Sequence, residues 1–196
     1  MNSILDRTPL LQSDLAPRDG NSYVKGPKVP PLAYTSISKL LRDAAQQYGS
    51  REALIFPNNR LSYYDFDQTV DVLAAGFLAL GLDKGDRLGI WSPNRLEWVL
   101  TQFATARIGV LLVNINPAYR LSELEYSLNT VGCKAIVLAQ SLKSSNYLQM
   151  IRTLAPEIDT CRQGKLHSIK LPQLRHVIVM GNVDGFDGLW SFDDIL

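Results

Sequence analysis

Cysteine and histidine are both scarce, with only Cys133, Cys161, His167 and His176 in 196 residues. No C-x-x-C pair occurs, so a four-ligand zinc site cannot be assembled at any usual spacing. Two thiols this far apart read as ordinary reduced residues of a reducing compartment, because small oxidised folds carry more cysteine. An excess of charge of one sign is missing too. Twenty Lys and Arg against 19 Asp and Glu leave a net charge of +1, too weak a field to argue for nucleic acid or an anionic membrane. A small phosphate ligand stays open, since it needs only local charge and oriented backbone N–H groups.

Long apolar runs are absent as well. No stretch approaches the roughly 20 uninterrupted apolar residues of a membrane span. The first twenty residues have no apolar h-region and carry Asp6, Asp14 and Asp19. A secretory signal needs that region, and a mitochondrial presequence is acid-poor and Arg-rich. The expected location is therefore cytoplasmic.

Familiar catalytic signatures are also lacking. There is no G-x-x-x-x-G-K-[ST], no G-x-G-x-x-G, no G-x-S-x-G elbow and no H-E-x-x-H helix. Gly81, Gly85 and Gly89 are evenly spaced but fall between a helix and a strand, the wrong order for a dinucleotide fingerprint. Asp184, Asp187, Asp193 and Asp194 fail the EF-hand spacing and read as a solvated turn. His167 and His176 have no carboxylate or serine partner at informative spacing. No catalytic, cofactor-binding or metal-binding residue is assigned.

What is present is enough apolar material for a core: 46% hydrophobic and 20% charged residues, close to a globular average. Residues 1–34 are rich in turn formers (Pro9, Pro17, Gly20, Gly26, Pro27, Pro30, Pro31) and read as an irregular arm. Ile37, Leu40, Leu41, Ala44, Ala45 and Tyr48 then recur at helical spacing, with Gly49 placed for a left-handed cap. Two short strands at 53–56 and 60–62 flank Pro57-Asn58-Asn59, the chemistry of a hairpin turn. A helix through Phe66, Val70, Leu73, Ala74, Phe77 and Leu78 opens at Ser62 with Asp65 behind it and closes at Gly81.

A strand follows at 87–91. Asn94 with Glu97 suggests the cap of a helix ending at Gly109, and a strand follows at 110–113. Ser122-Glu123-Leu124-Glu125 suggests a capping box for a helix reaching Val131. A strand at 135–138, a helix at 146–155 and a strand at 176–179 complete the rhythm. Residues 159–172 read as an exposed loop, and 190–196 fit the start of a further helix. Short apolar strands alternating with amphipathic helices imply a doubly wound, largely parallel α/β sheet.

One ordered set of fragments resembles a known family. It runs Leu61-Ser62-Tyr63-Tyr64-Asp65-Phe66, Ala74-Ala75-Gly76-Phe77, Leu80-Gly81-Leu82 and Lys84-Gly85-Asp86-Arg87-Leu88. It continues through Ser92-Pro93-Asn94-Arg95-Leu96-Glu97-Trp98, Ala106-Arg107-Ile108-Gly109-Val110, Asn116-Pro117-Ala118-Tyr119, Glu123-Leu124-Glu125-Tyr126 and Val131-Gly132-Cys133-Lys134-Ala135. Over about residues 36–180 this is similar to the N-terminal region of adenylate-forming (AMP-binding) acyl-CoA synthetases. Asn-Pro-Ala-Tyr and Val-Gly-Cys-Lys-Ala are similar to the medium-chain fatty-acyl-CoA synthetases.

The resemblance implies a two-step ligation. ATP and a fatty acid give acyl-adenylate and pyrophosphate, and the CoA thiol then displaces AMP. Mg2+ accompanies ATP in the complete enzyme, and no cofactor is expected to bind tightly to this chain alone. The family's Ser/Thr/Gly-rich phosphate loop, adenine segment, ribose-binding Asp and C-terminal lysine have no counterpart here. The expected organisation is an arm over 1–34 and an incomplete N-terminal part of an AMP-binding domain over 35–196. Its partners would be fatty acid, ATP and CoA, without nucleic acid or a membrane span. Self-association or pairing with the missing C-terminal part is also expected. Two alternatives remain: a non-catalytic acyl- or nucleotide-binding module or one part of a split enzyme, and an unrelated flavodoxin-like domain.

Overall fold

The computed structural model describes Gly20, residues 33–183 and residues 186–196. The arm expected over 1–34 thus lies, but for Gly20 and its last two residues, outside the described residues. Thr35–Leu196 forms one compact unit.

The unit opens with helix α1 (Ile37–Tyr48), hairpin strands β1 (Glu52–Phe56) and β2 (Asn59–Ser62), and helix α2 (Tyr63–Ala79). It continues through β3 (Arg87–Trp91), α3 (Leu96–Ile108), β4 (Leu111–Asn114), α4 (Leu121–Val131) and β5 (Ala135–Ala139). A small hairpin, β6 (Ser141–Leu142) and β7 (Ser145–Asn146), leads into α5 (Tyr147–Leu154) and a 3-10 turn at Pro156–Asp159. Strands β8 (His176–Met180) and β9 (Trp190–Ser191) follow. The main sheet has five strands in the order β4-β3-β5-β8-β9, and every neighbouring pair in it is parallel.

Chain direction explains the layers. The connection from β3 to β4 moves one way across the sheet and the return to β5 moves the other, so right-handed crossovers place α3 and α4 on opposite faces. Accordingly α2 packs with α3, and α4 with α5. β5 and β8 are buried at all five of their residues, as strands covered on both faces must be.

Several local expectations hold. Ser62 caps α2, its hydroxyl accepting from the Asp65 N–H at 3.1 Å and donating to Asp65 Oδ2 at 2.7 Å. β1 and β2 pair antiparallel across Pro57 and Asn58. Gly109 ends α3 with φ 75°, in the left-handed region that a side chain strains to reach.

Others need correction. Gly49 has φ −23°, so it does not make a left-handed cap; α1 turns directly into β1, with Arg51 N–H donating to Tyr48 O at 2.7 Å. Arg95, not Asn94, is the N-cap of α3 and makes no capping bond; Glu97 pairs instead with Arg95 at 2.7 Å. Ser122 lies inside α4 rather than capping it, and Glu123 reaches back to the Arg120 N–H at 2.7 Å. β4 is apolar yet sits at the sheet edge, so Leu111 is 56% exposed. Residues 159–172 are irregular but not simply exposed, because Leu166, Ser168 and Leu171 are buried. The expected helix at 190–196 starts instead as the fifth strand, β9, paired with β8 through Ile178–Trp190 and Val179–Ser191.

A half-buried ion network ties the first three helices together. Arg107 of α3 meets Asp67 of α2 at 2.5 Å and Asp71 at 3.2 Å, and Arg42 of α1 meets Asp71 at 2.8 Å. Asp67 and Arg107 are nearly excluded from water, so deleting either would strand the other's charge in the protein.

Candidate functional site

The strand order makes β3 the first strand, with the chain turning back from β4 to β5. In such sheets the crevice beyond the strand C-termini, where the order reverses, is the usual ligand position. Here it lies between β3 and β5, and the protein fills it with its own rings. Trp91, the last residue of β3, stacks on Tyr147, the first residue of α5, with ring centroids 3.8 Å apart and planes 15° from parallel. Both are fully buried. The Trp91 indole N–H donates to Asn116 O at 3.1 Å, and the Tyr147 hydroxyl donates to Pro117 O at 2.5 Å. Burial pushes the Tyr147 phenol above its ordinary value, against a smaller opposing pull from Arg120, so it stays a neutral donor. The Asn-Pro-Ala-Tyr segment after β4 is therefore a structural clamp across the crevice.

An open cleft lies at the start of α3. With a volume of about 440 Å³, it runs between the hairpin turn at Asn58 and Asn59, the start of α3, and the segment after β9, with Phe192 and Asp193 on its far wall. That volume is within the usual range of ligand pockets. Its strongest charges neutralise each other, Arg95 being paired with Glu97. No histidine, cysteine or serine lines it, and its carboxylates are Glu97, paired with Arg95, and Asp193. Sequence reasoning missed both the Trp91–Tyr147 stack and this cleft, because their residues come from segments far apart in the chain.

The thiols and histidines lie elsewhere. Cys133 is buried, and burial pushes its thiol up to about 11 against the opposing charge of Arg87. Burial also raises Cys161. Neither is poised as a thiolate nucleophile, and the structure leaves both unbonded. Thiol titration under denaturing, non-reducing conditions should accordingly find two free groups, and a protected pair would refute this. His167 is exposed, and His176 is buried at the start of β8. Asp184 lies outside the described residues.

Among the described residues no group of three His, Cys, Asp or Glu side chains could hold a metal, and no helix is long and apolar enough to cross a membrane. A magnesium–triphosphate site needs carboxylate or hydroxyl ligands together with unpaired cations. The cleft offers one arginine already paired with Glu97, and one exposed aspartate, Asp193. The residues present do not fit that group, and no step is derived through it.

Residues 41–178 match the family of AMP-binding enzymes. The chain belongs to that family. Across 160 residues it is 44% identical to the medium-chain acyl-CoA ligase ACSF2, mitochondrial, of Danio rerio, covering 81% of this chain and 26% of that protein. The human protein of the same name is 42% identical over 83% of this chain and 27% of its own length. A putative acyl-CoA synthetase of Bacillus subtilis, YngI, is 34% identical over 83% of this chain and 30% of its own length. The chain thus spans little more than a quarter of the relatives first matched.

Among solved structures, the anthranilate CoA ligase AuaEII in complex with anthranoyl-AMP superposes with a TM-score of 0.67. It covers 83% of this chain and 27% of its own, at 21% identity. Mycobacterium smegmatis MbtA matches with a TM-score of 0.66 at 25% identity, over 83% of this chain and 27% of its own. The doubly wound parallel sheet is thus the fold of the family's N-terminal region. The names of the two vertebrate relatives place them in mitochondria, which overturns the cytoplasmic expectation. That expectation rested on Asp6, Asp14 and Asp19, and the acidity of a few residues does not report an address that a receptor reads.

Proposed function

We propose that residues 35–196 are the N-terminal part of the AMP-binding domain of a medium-chain fatty-acid–CoA ligase. The whole enzyme would join ATP and a fatty acid into an acyl-adenylate, release pyrophosphate, and pass the acyl group to CoA with loss of AMP. The observation that carries this reading is the identity of 42–44% to medium-chain acyl-CoA ligases over most of the chain. The share belonging to these residues is scaffolding. The Trp91–Tyr147 stack sets the sheet's C-terminal edge, and the cleft at the start of α3 receives ligand or further protein. Mg2+ and the triphosphate would be held by a phosphate loop and lysine that this sequence does not contain. By the same relationship we infer a mitochondrial location, which imaging of a tagged protein would test.

Fatty-acid-dependent ATP–pyrophosphate exchange tests the ligase reading. The 196-residue chain alone is expected to give none. Joined to a polypeptide that carries the phosphate loop and the C-terminal lysine, it is expected to give exchange with medium-chain acids. Exchange by the pure chain alone would sink the division of labour. Silence from a joined, folded protein would sink the ligase reading and leave a binding module. The cleft of about 440 Å³ is the feature such a module would use. Calorimetric titration with a fatty acid or ATP measures it.

A further inference from the structure

His176 stands apart from everything above. It is 7% exposed, and its Nδ1 has no hydrogen-bond partner. The indole Nε1 of Trp190 in β9 is also buried without a partner, and the two rings lie 6.4 Å apart. Gly164, at φ 71°, closes over both. A Cβ there would come within 3.3 Å of His176 Cε1, 3.6 Å of its Nδ1 and 3.9 Å of Trp190 Cζ2. The same turn is fastened to the segment entering β9 by the Gln163 amide, which donates to Leu189 O at 2.8 Å. Two buried, unpartnered polar atoms thus lie against the most weakly paired strand of the sheet, since β9 meets β8 at only two residue pairs.

The charges around these two atoms disfavour a cation. Lys134 precedes β5 and Arg175 immediately precedes β8; both oppose protonation, while Asp86, just before β3, favours it. Asp86 is already engaged by Lys134 at 2.6 Å. In the turn, Arg162 and Lys165 flank Gln163 and Gly164 and are exposed; β9 itself brings no titratable group. Burial, with the two cations, holds the imidazole below its ordinary range. An imidazolium here would carry a buried, unpaired Nδ1–H beside like charge, which is costly.

We propose that His176 is a proton-sensitive latch on β9: neutral, it lets Trp190 dock, and protonated, it releases β9 together with the Phe192–Leu196 wall of the cleft. The imidazole takes one proton from solvent and no other bond changes. The sign follows from the direction of the shift. The unfolded or undocked histidine binds the proton more readily, so docking is fully stable above about pH 6.5 and weakens as pH falls through the folded value.

Hydrogen exchange of the full chain, corrected for intrinsic rates, tests this between about pH 7.5 and about pH 5, the span of histidine titration. Residues 186–196 should lose protection selectively while β3 and β5 keep theirs, because the docked imidazole binds a proton less readily than the released one. His176→Gln should abolish that difference. Equal loss across all strands, or an unchanged pH dependence in His176→Gln, would overturn the proposal. In the unmodified chain, NMR titration of the His176 ring must share its midpoint with the loss of β9 protection. Separate midpoints would overturn the proposal even if the variant fails to fold.

Discussion

Trp91→Ala should lower the unfolding free energy by about 3–5 kcal/mol, the usual cost of emptying a large aromatic site in a core. For a body of this size that corresponds to a melting temperature lower by roughly 10 °C. The effect is large because three contributions vanish together. The indole is wholly buried, it stacks on Tyr147, and its N–H satisfies Asn116 O. Trp91→Phe separates them. It keeps most of the apolar contact but loses the bond to Asn116 O, at about 0.5–1.5 kcal/mol. Tyr147→Phe should cost a similar amount by losing the bond to Pro117 O. Urea unfolding of the three variants measures all of this. If Trp91→Ala costs under about 1 kcal/mol, the range of an ordinary surface change, the stack is not the clamp described here.

Gly76 gives the second large effect, and its sign is diagnostic. Within a helix alanine is favoured over glycine by about 1 kcal/mol, so propensity alone would make Gly76→Ala stabilising. The packing says the opposite. A Cβ on Gly76 would lie 2.2 Å from Ile195 O and 2.6 Å from Ile195 Cγ2, and the nearer atom is backbone, which cannot rotate away. Overpacking of this kind costs about 1–3 kcal/mol and sometimes more. Gly76→Ala is therefore expected to destabilise, and Gly76→Val, with its branched carbon, to exceed it by about 1 kcal/mol or more. Exchange protection of 192–196 should fall with stability. A stabilised Gly76→Ala would show that Ile195 does not pack on α2.

The resemblance carried the family from ordered fragments such as Lys84-Gly85-Asp86-Arg87-Leu88 and Val131-Gly132-Cys133-Lys134-Ala135, and the match over residues 41–178 agrees. It did not extend to location, because address is not written in a sheet. Nor could spacing show the candidate cleft. Asn58, Arg95 and Asp193 meet there only after the hairpin, the start of α3 and the end of β9 are brought together.

Local chemistry by itself determined the periodic elements. The apolar run of β5 and the αL glycine at 109 mark their elements without help from the rest of the chain, since burial pattern and φ preference act over a few residues. Caps were less legible. Asn94 and Ser122 have capping side chains, yet Arg95 and Arg120 take those positions, because each helix start is fixed by how the preceding strand delivers the chain. Tertiary structure alone decided the fate of 190–196. Trp190 and Ser191 became a strand because β8 offered an unpaired edge, and its ladder outweighed weak helical propensity. It likewise made β4 an edge strand despite its apolar sequence, and it turned Trp91 and Tyr147, 56 residues apart in the chain, into a single stacked unit. Such choices depend on what lies alongside, and a sequence does not state its neighbours until the sheet has formed.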